Sequence, residues 1–118
     1  MKIGILVREE TMQICTGKGC LSAFFQRKDS FARYAEELEL LTFTHTGGDL
    51  NRKIKNMIQA GIESVHLSSC LRARSPDYAA LIERLSEHFT VVGYTHGPEV
   101  RTKDKSINNC KELQADSK

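Results

Sequence analysis

The chain has 118 residues, 40% of them hydrophobic, which supplies one modest core, so a single domain is expected. Its 17 basic and 15 acidic residues give a formal charge of +2 spread along the sequence, far from the basic excess of a protein that holds nucleic acid through phosphates. Residues 1–7 are too short for a signal-peptide core and no apolar run approaches the roughly 20 residues that span a bilayer, so a cytoplasmic protein is expected, with neither nucleic acid nor membrane as partner.

In chain order, residues 2–7 form an apolar, β-branched run that reads as a buried strand, and residues 8–19 read as a loop relaxed by Gly17 and Gly19. Leu21 to Phe25, then Phe31, Tyr34, Ala35 and Leu38, recur at helical spacing, with Asp29 or Ser30 as an N-cap where the pattern restarts. Either one broken helix or two are expected there. Residues 39–44 give a second strand, and His45-Thr46-Gly47-Gly48-Asp49 turns into a helix carrying Leu50, Ile54, Met57 and Ile58, stopped by Gly61 in a left-handed cap. A third strand is read at 64–67. Ser75-Pro76-Asp77 reads as a capped helix start ahead of Tyr78, Leu81, Ile82 and Leu85. Residues 89–94 form the fourth strand, ended by Thr95-His96-Gly97-Pro98, and from Arg101 the polar sequence reads as a loose tail or an isolated terminal turn, giving a domain at 1–100 and a tail at 101–118.

Strands alternating with helices imply right-handed crossovers and a parallel sheet. The expected fold is α/β: a three-layer, flavodoxin-like sandwich of about four strands with helices on both faces and an additional edge element allowed. In such a sheet ligands bind beyond the carboxyl ends of the strands. Cys15 and Cys20, His45, Cys70 and His96 each follow a strand, so thiols and imidazoles converge on one crevice. Clustered cysteines in a reducing compartment are more often metal-bound or catalytic than bridged, although a single free Cys commonly packs as a small hydrophobe.

Cys15 and Cys20 are separated by Thr16-Gly17-Lys18-Gly19, whose glycines let both sulfurs face one ion, and thiolates with imidazoles suit zinc or iron rather than magnesium or calcium. Gly17 and Gly19 lack the third glycine of a dinucleotide fingerprint. Cys70 is a ligand or a nucleophile, with Arg72 and Arg74 nearby to favour a thiolate. A cysteine-phosphatase loop needs arginine six positions after the nucleophile, where Cys70 has Pro76 and Cys15 has Leu21. His66 lies within a strand and reads as a core residue, His88 as a surface residue at a helix end, and Cys110 as part of the tail. Asp49 reads first as an N-cap and second as an oxygen ligand. His45 stands equally as turn residue and as ligand.

The N-terminal strand, the Cys15-x-x-x-x-Cys20 loop, Gly47-Gly48 before a helix, His66-Leu67-Ser68-Ser69-Cys70 and Thr95-His96-Gly97 together resemble the CGGC-domain family over residues 1–97. The resemblance implies a small cysteine-rich protein that binds a metal, in a family whose biochemical role is largely unassigned. The name-giving Cys-Gly-Gly-Cys falls on Thr46-Gly47-Gly48-Asp49, and Arg74-Ser75-Pro76-Asp77 stands where a Cys-Pro-His type segment is expected. What carries over is Cys15, Cys20, Cys70 and His96, with Gly47 and Gly48 keeping the turn, His45 a substitute for one lost cysteine and Asp49 for the other.

Three cysteines and a histidine would close a tetrahedral zinc site, whereas three ligands would leave a position for water or substrate. No reaction is selected by the sequence. The alternatives are a metal-free thiol redox protein, in which Cys15 or Cys20 attacks and Cys70 resolves, and a scaffold that has lost the metal and holds a small anionic ligand on backbone amides and arginines.

Overall fold

The computed structural model describes residues 1–100 and 105–109. Strand β1 (Lys2–Val7) buries Ile3 through Val7 and pairs in parallel with both β2 (Glu39–His45) and β3 (Ser64–Leu67), while β3 pairs in parallel with β4 (Thr90–Val92). A strand covered on both faces must be a near-continuous apolar run, which is what the β1 sequence supplies. Among the described residues the order is β2-β1-β3-β4, the order of a flavodoxin-type sheet over these four strands. Because side chains alternate across a strand, Leu6 packs with apolar residues from α2 (Leu50–Ala60), α3 (Ser69–Arg74) and α4 (Tyr78–Leu85), whereas Ile3, Ile5 and Val7 pack with Cys20, Ala23 and Phe24 of α1 (Lys18–Phe25) and with Phe31. These two clusters make the three layers. No helix among the described residues is long and apolar enough to cross a membrane.

Several expectations need correcting. The apolar repeat after Phe25 does not restart an α-helix. Arg27 and Asp29 adopt positive φ (53° and 55°), and the chain makes only a 3-10 turn over Asp29–Arg33. Asp29 tolerates this conformation and spends its carboxylate on the Gly97 N–H at 3.0 Å, not on a helix cap. Ser75 does not open a helix either: it ends α3, a six-residue helix that the sequence reading missed, and α4 begins after Asp77. The signal for α3 was Ser68, whose side chain accepts from the Leu71 N–H.

The other elements follow the reading closely. Asp49 caps α2 by accepting from the Arg52 N–H at 3.1 Å, and Gly61 ends it at φ 83°; Ile54 and Met57 are buried, whereas Ile58 is 45% exposed and lies on the flank. Strand β4 is shorter than the expected 89–94. Its later neighbours are not a loose tail as far as they are described: Asn109 and Val91 exchange antiparallel N–H···O bonds of 2.7 Å, and the Tyr78 hydroxyl donates to the Gly93 carbonyl at 2.5 Å while accepting from the Ile107 N–H at 3.0 Å. Cys110 lies outside the described residues.

Candidate functional site: a thiol-lined cavity at the switch point

The chain leaves β1 towards β2 on one side and returns to build β3 and β4 on the other, so the strand order reverses between β1 and β3. At the carboxyl ends of those two strands, where open α/β sheets place their ligands, lies a cavity of about 260 Å³ bounded by Val7 and Ser68 and lined by Cys15, Cys20, Cys70 and His96. Three strand exits supply the four donors. Cys15 sits in the loop after β1 and Cys20 in the first turn of α1; Cys70 lies in the first turn of α3 after β3, and His96 follows β4.

Local hydrogen bonds fix each donor differently. Cys15 is exposed, and its Sγ accepts from the Gly17 N–H at 3.3 Å. Cys20 is 6% exposed, with Sγ 3.1 Å from the Thr95 hydroxyl. The Cys70 Sγ lies 2.8 Å from Ser68 Oγ. The strand exits are tied together by Ser69, whose hydroxyl donates to the His96 carbonyl at 2.6 Å and accepts from the Thr95 and His96 N–H groups at 3.4 and 3.3 Å. Gly19 explains the ring position of His96: a Cβ there would stand 2.8 Å from Nε2, so only glycine lets the imidazole lie against the first turn of α1. Gly17, at φ 84°, faces the Phe43 ring just as closely.

Burial pushes the Cys20 thiol up to about 11; the Thr95 hydroxyl offsets this in part, and negative charge on Cys70 and then on Cys15 raises it further. The three sulfurs therefore share one electrostatic neighbourhood. At neutral pH Cys20 is a protonated thiol, and only a strongly attractive partner such as a cation displaces its proton.

Three thiols and an imidazole are the chemistry a thiophilic ion selects, and here they share a cavity. Their fit is one of donor type and of a shared cavity, not of ligand geometry: among the described residues, no three His, Cys, Asp or Glu side chains stand gathered as an ion would need them. The β2 exit does not join them. His45 is absent from the cavity wall; its Nδ1 accepts from the Gly47 N–H at 3.0 Å, and Lys53 Nζ bridges the His45 and Gly47 carbonyls at 2.7 and 2.9 Å. Gly48 takes φ 72°, Gly47 is pressed against the Glu9 carboxylate, and Asp49 caps α2.

Arg72 is absent from the cavity wall. Buried itself, it donates from Nη1 to the Pro98 and Glu99 carbonyls at 2.9 and 3.0 Å, and Arg74 is the arginine that reaches the cavity wall. The sequence reading overlooked Ser68, Ser69 and Thr95, which hold the donors. Their signal was adjacency, since two of them directly precede Cys70 and the third precedes His96.

No curated protein and no solved structure gives a significant match to the chain. A family model described as the CGGC domain matches residues 2–96, from β1 to the last cavity donor. The chain belongs to the CGGC domain family.

Proposed function

We propose that this protein binds a thiophilic metal ion, zinc or iron, in the cavity at the switch point, with Cys15, Cys20, Cys70 and His96 as ligands, and that it works in the cytoplasm, where its thiols stay reduced. The observation that carries the reading is that donors from three strand exits line one cavity at the place where the fold presents ligands. Membership of the CGGC domain family supports it, and so does the donor set, which retains three sulfurs although both cysteines of the family's name are replaced. A bound ion would hold the thiolates together and, with a position left open, would supply Lewis acidity.

The chain's own part is to deliver the donors. Cys20 surrenders its proton, and the Thr95 hydroxyl 3.1 Å away turns its hydrogen towards the thiolate. Exposed Cys15 lines the cavity from the loop after β1, and His96 is kept in place by Gly19 and Ser69. A small anionic ligand beside Arg74 is compatible with the same cavity.

A second reading draws on the same shared neighbourhood of sulfurs. As a metal-free redox centre, the exposed Cys15 thiolate would attack a low-mass disulfide and release one thiol, and Cys20 or Cys70 would then displace the second, leaving an intramolecular disulfide.

Elemental analysis of protein purified anaerobically without an affinity metal column separates the two. Near-stoichiometric zinc or iron, lost in a Cys15→Ser, Cys70→Ser double variant, is the expected result. Metal-free protein whose thiols cycle reversibly to one disulfide would replace the first reading with the second.

A further inference from the structure

The cavity is backed by a buried polar chain. His66, in the middle of β3, is fully buried and stacks on Phe31 at 4.1 Å between ring centroids. Its Nδ1 lies 2.8 Å from Ser30 Oγ and 3.4 Å from the Tyr94 carbonyl, and its Nε2 lies 2.8 Å from the Tyr34 hydroxyl, which in turn lies 2.7 Å from Ser64 Oγ. Ser30 also donates from its hydroxyl to the Thr95 carbonyl at 3.0 Å and from its N–H at 3.3 Å.

The directions of these bonds follow from the inventory of donors. Ser30 has one hydroxyl hydrogen and gives it to the Thr95 carbonyl, so towards His66 it accepts. Nδ1 therefore carries the proton, as its second neighbour, the Tyr94 carbonyl, also requires. Nε2 is then an acceptor, filled by the Tyr34 hydroxyl, which receives from Ser64. In this direction every member is satisfied, the Tyr94 carbonyl beside Nδ1 included. A buried network of that kind fixes geometry instead of merely filling space.

We propose that His66 is a positioning residue of the thiol centre: its Nδ1–H orients Ser30, Ser30 holds Thr95 by two hydrogen bonds, and the Thr95 hydroxyl holds the Cys20 sulfur. The proposal rests on the reading of the cavity as a metal site, and it adds a group that touches neither cavity nor ion. Ser30 and the Tyr94 carbonyl fix the His66 tautomer, and Ser30 fixes the strand exit, as outer hydrogen bonds do around metal ligands generally.

Two substitutions separate positioning from packing. His66→Asn keeps an N–H close to the place of Nδ1 and loses the acceptor for Tyr34, whereas His66→Gln fills more of the ring's volume and reaches the Tyr34 side but leaves Ser30 without its donor. The full-length protein would be titrated with cobalt(II), reading the thiolate-to-cobalt absorption bands, and in metal-free form the alkylation of Cys20 would be compared with that of Cys70 by mass spectrometry. Positioning predicts that His66→Asn stays close to the parent while His66→Gln binds cobalt roughly tenfold more weakly, the range for lost outer-sphere partners, and that Cys20 alone becomes faster to alkylate.

A Gln variant equal to or better than the Asn variant overturns the proposal. If the parent binds no cobalt, the metal reading fails by itself, and the Cys20 to Cys70 alkylation ratio still decides the role of His66. Should either variant fail to fold, Ser30→Ala carries the decision: it should weaken cobalt binding and loosen Cys20 just as His66→Gln does, and parent-like behaviour in both measurements would overturn the proposal.

Discussion

The exits of β2 and β3 lie on the same edge of one parallel sheet and are treated in opposite ways. After β3, Ser68 and Ser69 turn their hydroxyls to a thiol and to the neighbouring strand exit, and Cys70 faces the cavity. After β2, the polar groups close on themselves: His45 on Gly47, Lys53 on two carbonyls of the turn, Asp49 on its own helix. Position at a sheet edge thus offers a side chain to the crevice, and local hydrogen bonding decides whether the offer is taken up. Thr46 to Asp49 is where the resemblance in sequence sets the family's name-giving cysteines. The turn persists there without them because a cap, a lysine bridge and a left-handed glycine hold it.

The largest contrast is expected from removing one donor on each side. Cys20→Ser should lower metal affinity beyond the roughly 100-fold that marks the upper range for outer-sphere losses, while His45→Ala should change it less than about twofold. Isothermal titration of both variants checks this, and a large loss in His45→Ala would show that the β2 exit swings in to complete the site.

Next in size is an acid effect confined to the cavity's backing. Burial, aided by the charge of Arg33, pushes His66 down to about 3 from an ordinary 6.5. The folded chain therefore refuses a proton that the unfolded chain accepts below about 6.5. Its contribution is fully present above pH 6.5 and is lost as the pH falls towards 3, at about 1.4 kcal/mol per pH unit. Urea midpoints measured from pH 7.5 down to 4.5, in roughly one-unit steps, should fall more steeply for the parent than for His66→Asn. Equal slopes would mean that the histidine is not held neutral.

Gly19→Ala should act more narrowly. The new Cβ meets the His96 ring at 2.8 Å, so the imidazole must leave its place and metal affinity should fall by about tenfold. Stability should hold or rise, since alanine is favoured over glycine in a helix by up to about 1 kcal/mol. Thermal melts alongside metal titrations test the split. A parallel loss of both would place His96 in the packing and not in the site.

How far these features were legible in the sequence follows the same division. Strand alternation announced the parallel sheet, and β1 was unmistakable because a strand buried on both faces has nothing polar to interrupt it. Cys15, Cys20, Cys70 and His96 were legible as residues in the segments that lead out of strands. The 3-10 turn was not, because Phe31 and Tyr34 keep helical spacing while Arg27 and Asp29 take positive φ, and backbone sign leaves no mark on an apolar pattern. Helix α3 was hidden by its length, six residues being too few to show a period. The role of His66 was hidden by distance: its partners Ser30 and Tyr34 lie more than thirty positions away, and no local motif announces a bond closed by the tertiary fold.

The smallest expected effect tests whether the β2 exit is purely structural. Asp49→Ala removes the acceptor for the Arg52 N–H and should cost about 1 kcal/mol, the usual worth of an N-cap, with metal affinity unchanged. Asp49→Ser restores an oxygen at the cap and should recover the stability, whereas an oxygen ligand would be poorly replaced by a neutral hydroxyl. If Asp49→Ser recovers stability and leaves metal binding alone, the aspartate serves only the helix. A loss of metal in both variants would instead bring that position back to the ion, and the two exits would no longer differ in kind.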